Sequence, residues 1–269
     1  MLHHGRRRGR PRATKADPAA SNIKSLNRAL DVLEALAAHE GVTLSGLSSH
    51  LHESTATMHR VLSTLERREY VECDPERQEW FIGPAAFKLG SAFLGRTNLV
   101  ERSRLVMRDL VTISGETSNL GIHRDGQVLF VSQVETQETI RAFLPPGTSA
   151  PLHASGIGKA LLSSFDDDRL EAFISTAKFT RFTDRTISSA NQLRKAIKLT
   201  RQCGYALDDE ERTIGMRCVA ATILDVHGEA VAGISISGPT IRMPDKKVRQ
   251  IGKWVMEAAN EISRRVGAG

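Results

Sequence analysis

The stretch SGIGKALLS, residues 155–163, comes nearest to phosphate chemistry in this 269-residue chain. A phosphate-binding loop needs a glycine five positions before its Gly-Lys pair and a hydroxyl residue after the lysine. Counted back from Gly158-Lys159, the first position is His153, and the residue after the lysine is Ala160. The motif fails at both places, since Ala160 offers nothing to a magnesium ion. Cys218 and His153 could form a nucleophile–base pair, but no local signature accompanies either. Histidines, cysteines and carboxylates lack the close spacing of a zinc site. The sequence therefore points away from an enzyme, and no cofactor or metal is expected.

Charge points elsewhere. Residues 1–24 hold Arg6, Arg7, Arg8, Arg10, Arg12, Lys15 and Lys24 against Asp17. Seven minus one is +6, equal to the formal net charge of the whole chain. A basic arm on an otherwise neutral body suits a polyanion. Residues 1–21 have almost nothing to bury and are expected to be disordered in isolation. Gly9-Arg10-Pro11-Arg12 could lie in a narrow minor groove. Sequence-independent neutralisation of phosphates is the favoured role.

The elements behind the arm suit the same partner. Leu26, Leu30, Leu33 and Ala37 recur at helical spacing and are closed by Gly41. TLSGLSSHL offers a second helix, with Leu44, Leu47 and Leu51 on one face. Ser54 or Thr55 can cap a third, which buries Met58, Val61, Leu62 and Leu65. The β-prone runs YVEC and EWFI flank the turn DPERQ. Three short helices and a two-stranded ribbon make a winged helix-turn-helix. Thr55, Thr57, His59 and Arg60 can face phosphates and base edges from the third helix. AAFKLGSAFLG continues as a connecting helix.

Beyond it the periods mix. A helix covers roughly 100–115. NLGIHR and QVLFVSQV form a hairpin about Asp125-Gly126, and ETIRAFL reads as a further strand. SGIGKALLS, DDDRLEAFI and QLRKAIKLTRQ read as helices, the last stopped by Gly204. MRCVAATIL and AVAGISISG form a second strand pair, and residues 245–266 a closing amphipathic helix. The fold class is α+β. No run of 18 apolar residues exists, no apolar segment follows the basic N-terminus, and three widely spaced cysteines imply no disulfide framework; a cytoplasmic setting without membrane contact is expected.

LHASGIGKALL (152–162), GYALDDEE (204–211), IGMRCVAA (214–221) and ISISGP (234–239) stand in fixed order behind His59-Arg60, WFIG and GET at 115–117. Together they resemble the IclR family of bacterial transcriptional regulators, over about residues 22–266. The resemblance implies a winged helix-turn-helix over 22–83 and a dimerising linker helix over 84–99. It implies a GAF-like effector-binding domain over 100–269, and a homodimer or dimer of dimers on palindromic double-stranded DNA. Thr43, Ser54, Thr55, Thr57, His59, Arg60 and Arg77, with Arg10 and Arg12 of the arm, are the candidate DNA contacts.

Family members that answer to glyoxylate and pyruvate share these motifs most closely. Matched motif by motif, that likeness implies effector contacts at the amides of Gly156 and Ile157. It adds the side chains of Asp208, Cys218, Ser235 and Ser237. The chemistry is coherent: amides at a helix start hold a carboxylate, and serines two apart on a strand share a side. Asp208 can accept from a hydroxyl or hydrated aldehyde. A small carboxylic acid, glyoxylate first, is the expected effector; a hydroxybenzoate-type acid is the alternative. Two departures bear on this. His52, Glu53 and Ser54 replace the usual Gly-Leu-Pro of the turn, so His52 must take the glycine's backbone. Ala142 and Ala150 replace bulky apolar pocket residues, while Phe143, Leu144 or Met216 could refill the space and Ile157 replaces a small residue.

Overall fold

The computed structural model describes residues 23–95 and 98–267. Arg10, Arg12 and the expected disorder of 1–21 lie outside the described residues. The chain divides into two compact units, 1–93 and 94–269.

The first unit opens with α1 (Lys24–Ala37), β1 (Val42–Thr43), α2 (Leu44–His50) and α3 (Thr55–Glu66). β2 (Val71–Asp74) and β3 (Glu79–Ile82) form the wing, and α4 (Pro84–Gly95) follows. The three strands form an antiparallel sheet in the order β1-β3-β2. Thr43 and Ser54 start α2 and α3 by accepting from the amides of Gly46 and Thr57, at 3.1 and 3.2 Å. His52 takes a φ of +53°, the left-handed backbone demanded by the turn. Met58 and Leu62 of α3 are buried against Leu47 and Trp80. The expected α1 stripe is corrected. Val32, Ala35 and Leu36 are the buried residues, whereas Leu26 and Leu30 are 53% and 48% exposed. The core meets α1 near its C-terminal end, where Leu33 packs against it, so helical spacing alone did not show which part of the stripe is buried.

The second unit runs α5 (Leu99–Ser114), β4 (Thr117–Arg124), β5 (Gln127–Val134), β6 (Ser149–Pro151), α6 (Gly156–Ser163) and α7 (Asp167–Thr176). Then come α8 (Ala190–Cys203), β7 (Ala206–Asp209), β8 (Met216–Leu224), β9 (Ala230–Pro239) and α9 (Asp245–Gly267). One antiparallel sheet has the order β6-β5-β4-β9-β8-β7. Asp125 and Gly126, both at positive φ, make the tight β4–β5 turn. Gly204 ends α8 in the left-handed region.

α5 and α9 cover one face of the sheet through Leu120, Val219, Ala221, Ile223, Ile234 and Ile236. The other face receives α6, α7 and α8 through Val128, Phe130, Ala150, Leu152, Ile157 and Ala220. One strand expectation is corrected. ETIRAFL is irregular backbone; the carbonyls of Glu138 and Ile140 accept from the guanidinium groups of Arg141 and Arg242 instead of a neighbouring strand. ALDD, for which no strand was expected, is edge strand β7 paired with β8.

Candidate effector pocket and DNA-reading helix

The register of β7, β8 and β9 sets Asp208 opposite Cys218 and Cys218 opposite Ser237. The next row aligns Ala220, Ser235 and Asn119. Side chains alternate along a strand, so Ser235 and Ser237 share one face while Ile234 and Ile236 point to the α5–α9 side. Neither serine is solvent-facing: they are 0% and 4% exposed. Ser237 Oγ accepts from Asn119 Nδ2 at 3.1 Å, and Asn119 Oδ1 accepts from Gln133 Nε2 at 2.8 Å. Ser235 Oγ lies beside the Cys218 thiol and has no nitrogen or oxygen partner among the described residues.

α6 enters this face at its N-terminus. Ser155 caps it, its Oγ accepting from the amide of Gly158 and its carbonyl from that of Lys159. The amides of Gly156 and Ile157 have no acceptor among the described residues, as the first turn of a helix dictates. Gly156 is required by contact: a Cβ there would lie 2.7 Å from Cys218 Sγ. Ile157 turns its side chain toward Gly121 and Gly233, which leaves its amide as the group available to a ligand. Free amides at a helix start and an unpaired buried hydroxyl form a donor set suited to a carboxylate.

A cavity of about 330 Å³ adjoins this arrangement at Asp208, Cys218 and Ser237, while Gly156, Ile157 and Ser235 lie behind its wall. Its walls include Asp208, Cys218 and Ser237 with Ala142, Phe143, Leu144 and Met216. Ala142 faces the space as its size suggests, and the three larger apolar residues partly refill it. Ala150 is instead packed beneath, in the core under α6.

The site also contains a group that motif matching passed over. Lys159 is 2% exposed and donates to Glu211 Oε1 and to the carbonyl of Leu207. Asp208 Oδ1 accepts from the Glu211 amide at 2.8 Å. Burial raises the Asp208 carboxyl above its ordinary range, opposed mainly by the charge of Lys159. Burial also pushes Glu211 up to about 7, with Lys159 again opposing and Asp208 reinforcing. Cys218 touches the cavity, yet burial, aided by Asp208, pushes its thiol up to about 11. It is a neutral wall at physiological pH, not a thiolate nucleophile. The visible signal for Lys159 was a lone lysine inside the apolar helix GIGKALL. The signal for Glu211 was an acidic run three residues beyond Asp208.

In the first unit, Thr55, His59 and Arg60 are exposed on α3, whereas Thr57 is half-buried. The hydroxyls of Thr57 and Ser54 bond each other at 2.8 Å, and Thr43 caps α2. Three candidate contacts thus also hold the helix ends in shape. Arg77 sits in the wing turn, exposed, 3.9 Å from Asp74.

These two constellations match one family. The model of the bacterial transcriptional regulator IclR C-terminal domain matches residues 91–264, and that of the IclR helix-turn-helix domain matches 25–75. The chain is an IclR-family transcriptional regulator. It is 49% identical to the HTH-type transcriptional regulator BhcR of Paracoccus denitrificans over 261 residues, covering 96% of this chain and 94% of that one. It is 36% identical to the transcriptional repressor IclR of Escherichia coli over 264 residues, covering 97% and 96%. The crystal structure of the Thermotoga maritima IclR superposes with a TM-score of 0.80 at 25% identity, covering 91% of this chain and all of that one. As in the rest of the family, the N-terminal unit binds DNA and the C-terminal unit binds a small-molecule effector. No helix among the described residues is long and apolar enough to cross a membrane.

Proposed function

We propose that this IclR-family regulator senses a small oxo-acid, glyoxylate first, to control genes of carbon metabolism in the cytoplasm. The observation that carries this reading is the meeting of the Gly156 and Ile157 amides with the unpaired Ser235 Oγ around Cys218. The carboxylate accepts from the amides and Ser235. The oxo or hydrated end meets Ser237 and Asp208. Binding alters operator affinity because the ligand favours one arrangement of the protein over another; by reciprocity, DNA alters ligand affinity equally.

The protein acts as a homodimer or a dimer of dimers on a palindromic operator. Thr55, His59 and Arg60 of each α3 face the major groove, Arg77 approaches the backbone, and half-sites lie about one helical turn apart. α4 serves dimerisation, since Phe87 and Leu89 leave it 77% and 59% exposed. The arm, with Arg10 and Arg12, adds phosphate contacts. Deleting residues 1–15 should weaken binding to all DNA and flatten its salt dependence by about one unit of slope per lost phosphate contact; an unchanged slope removes the arm from the interface.

Calorimetric titration of the full-length protein with glyoxylate, pyruvate and 4-hydroxybenzoate tests the effector. Saturable glyoxylate binding that vanishes in Ser235→Ala/Ser237→Ala supports the small acid. Binding of the aromatic acid alone would assign the apolar wall of Ala142, Phe143, Leu144 and Met216 to a ring.

A further inference from the structure

One guanidinium on the cavity wall is incompletely used. Arg212 stands in the β7–β8 loop and lines the same space as Asp208, Cys218 and Ser237. Its Nη2 donates to the carbonyl of Ser149 at 3.3 Å, while Nη1, shielded from solvent, has no hydrogen-bond partner. Ser149 belongs to β6 and the loop leaves β7, the two opposite edges of the sheet. Arg212 therefore reaches over the sheet face that carries the pocket. The loop is tied down behind it: Thr183 Oγ1 donates to the Glu210 carbonyl at 2.7 Å and Thr186 Oγ1 to that of Glu211 at 2.5 Å.

The other two arginines of the wall are engaged. Arg217 bonds Asp209, Asp245 and the Met243 carbonyl, and Arg141 bonds Glu135 at 2.6 Å. A shielded guanidinium nitrogen without an acceptor is costly, and a planar carboxylate is its best-fitting acceptor. The α6 amides and Ser235 already provide for one carboxylate. The cavity, at about 330 Å³, exceeds the needs of a two-carbon acid and reaches the range that holds larger ligands.

We propose that Arg212 is a specificity-determining residue that binds a second carboxylate, so that the pocket selects four- or five-carbon oxo- or hydroxy-dicarboxylic acids over monocarboxylic acids of equal length. This rests on the oxo-acid reading above and, within it, favours a longer diacid over glyoxylate. One carboxylate sits at the α6 N-terminus, and the other reaches Arg212 past Cys218 and Ser237. Asp208 is the negative group on that path. Burial raises its carboxyl, and the charges of Lys159 and Arg212 oppose that shift.

Calorimetry on the full-length protein with matched pairs tests this: 2-oxoglutarate against 2-oxopentanoate, and malate against 2-hydroxybutyrate. The diacid of each pair should bind about tenfold more tightly or better, the strength of one charge-assisted pair. Arg212→Gln should bring the two members of each pair to within about twofold, and Arg212→Lys should keep part of the preference. A thermal midpoint for each variant identifies loss of fold, in which case the Lys variant decides. Equal affinities within the pairs in the unaltered protein, or a preference that survives Arg212→Gln, overturns the role of Arg212 and leaves the small-acid reading standing. If no aliphatic acid binds while 4-hydroxybenzoate does, both fall together.

Discussion

The two faces of the effector sheet are made by the same strands, yet they do opposite work. On the α5–α9 side, Leu120, Val219, Ile223, Ile234 and Ile236 are fully buried and apolar, with the unpaired hydroxyl of Ser118 beside them. On the α6 side, one residue over in each strand, stand Asn119, Cys218, Ser235 and Ser237, with Asp208 at the edge. The first face holds the unit together through apolar burial. The second leaves a hydroxyl, two helix amides and a guanidinium nitrogen unpaired. Such groups oppose folding unless something satisfies them. Stability is concentrated on one face and binding on the other, a single alternation apart.

Truncation of the apolar face should have the largest effect. Ile236→Ala should cost the effector unit about 3–4 kcal/mol, read by chemical denaturation, while the folded fraction keeps its ligand affinity. A large loss of affinity at equal occupancy of the folded state would show that the faces are not separable.

The buried charges of the polar face give the next effect. Glu211 is raised from 4.5 to about 7 in the folded protein. A carboxyl raised by folding contributes fully below its unfolded value and loses that contribution as pH rises through the folded one. Stability attributable to this face should therefore fall between about pH 4.5 and 7, and Glu211→Gln should flatten that slope. Denaturation curves at pH 5, 6, 7 and 8 check it; an unchanged slope in the variant would assign the dependence to Asp208.

Smallest in energy but most telling is Ser235→Ala. Removing an unpaired buried hydroxyl should leave stability unchanged within about 0.5 kcal/mol or raise it. Ligand affinity should drop about tenfold, one lost bond to a charged group. A parallel loss of stability and affinity would make Ser235 a packing residue and erase the contrast between the faces.

Much of the molecule was legible from local pattern. Ser54 as a cap, the forced left-handed backbone of His52, the Asp125-Gly126 turn, the Gly204 stop and the ranges of β3 and β8 follow from short-range chemistry. So does the failure of SGIGKA as a phosphate loop, a matter of which residue occupies which position. The candidate effector residues came from ordered motifs, and the register brings Asp208, Cys218 and Ser237 into one row.

What remained hidden depends on partners distant in sequence. ETIRAFL has a strand's composition but no neighbour to pair with. ALDD carries two acidic residues and is a strand because β8 supplies its ladder. α1 shows Leu26 and Leu30 to solvent because the core meets only its far end. The alternation in ISISG separates two faces but cannot name which is wet. Only the packing of α5 and α9 on the isoleucines and of α6 opposite the serines decides that both are buried. The same packing sets Lys159 against Glu211, 52 residues apart, and brings Arg212 to Ser149, 63 apart. Local sequence determined how each segment turns, caps and alternates, because those forces act over a few residues. Tertiary structure decided which polar groups are stranded together out of water, because desolvation is a property of the assembled unit.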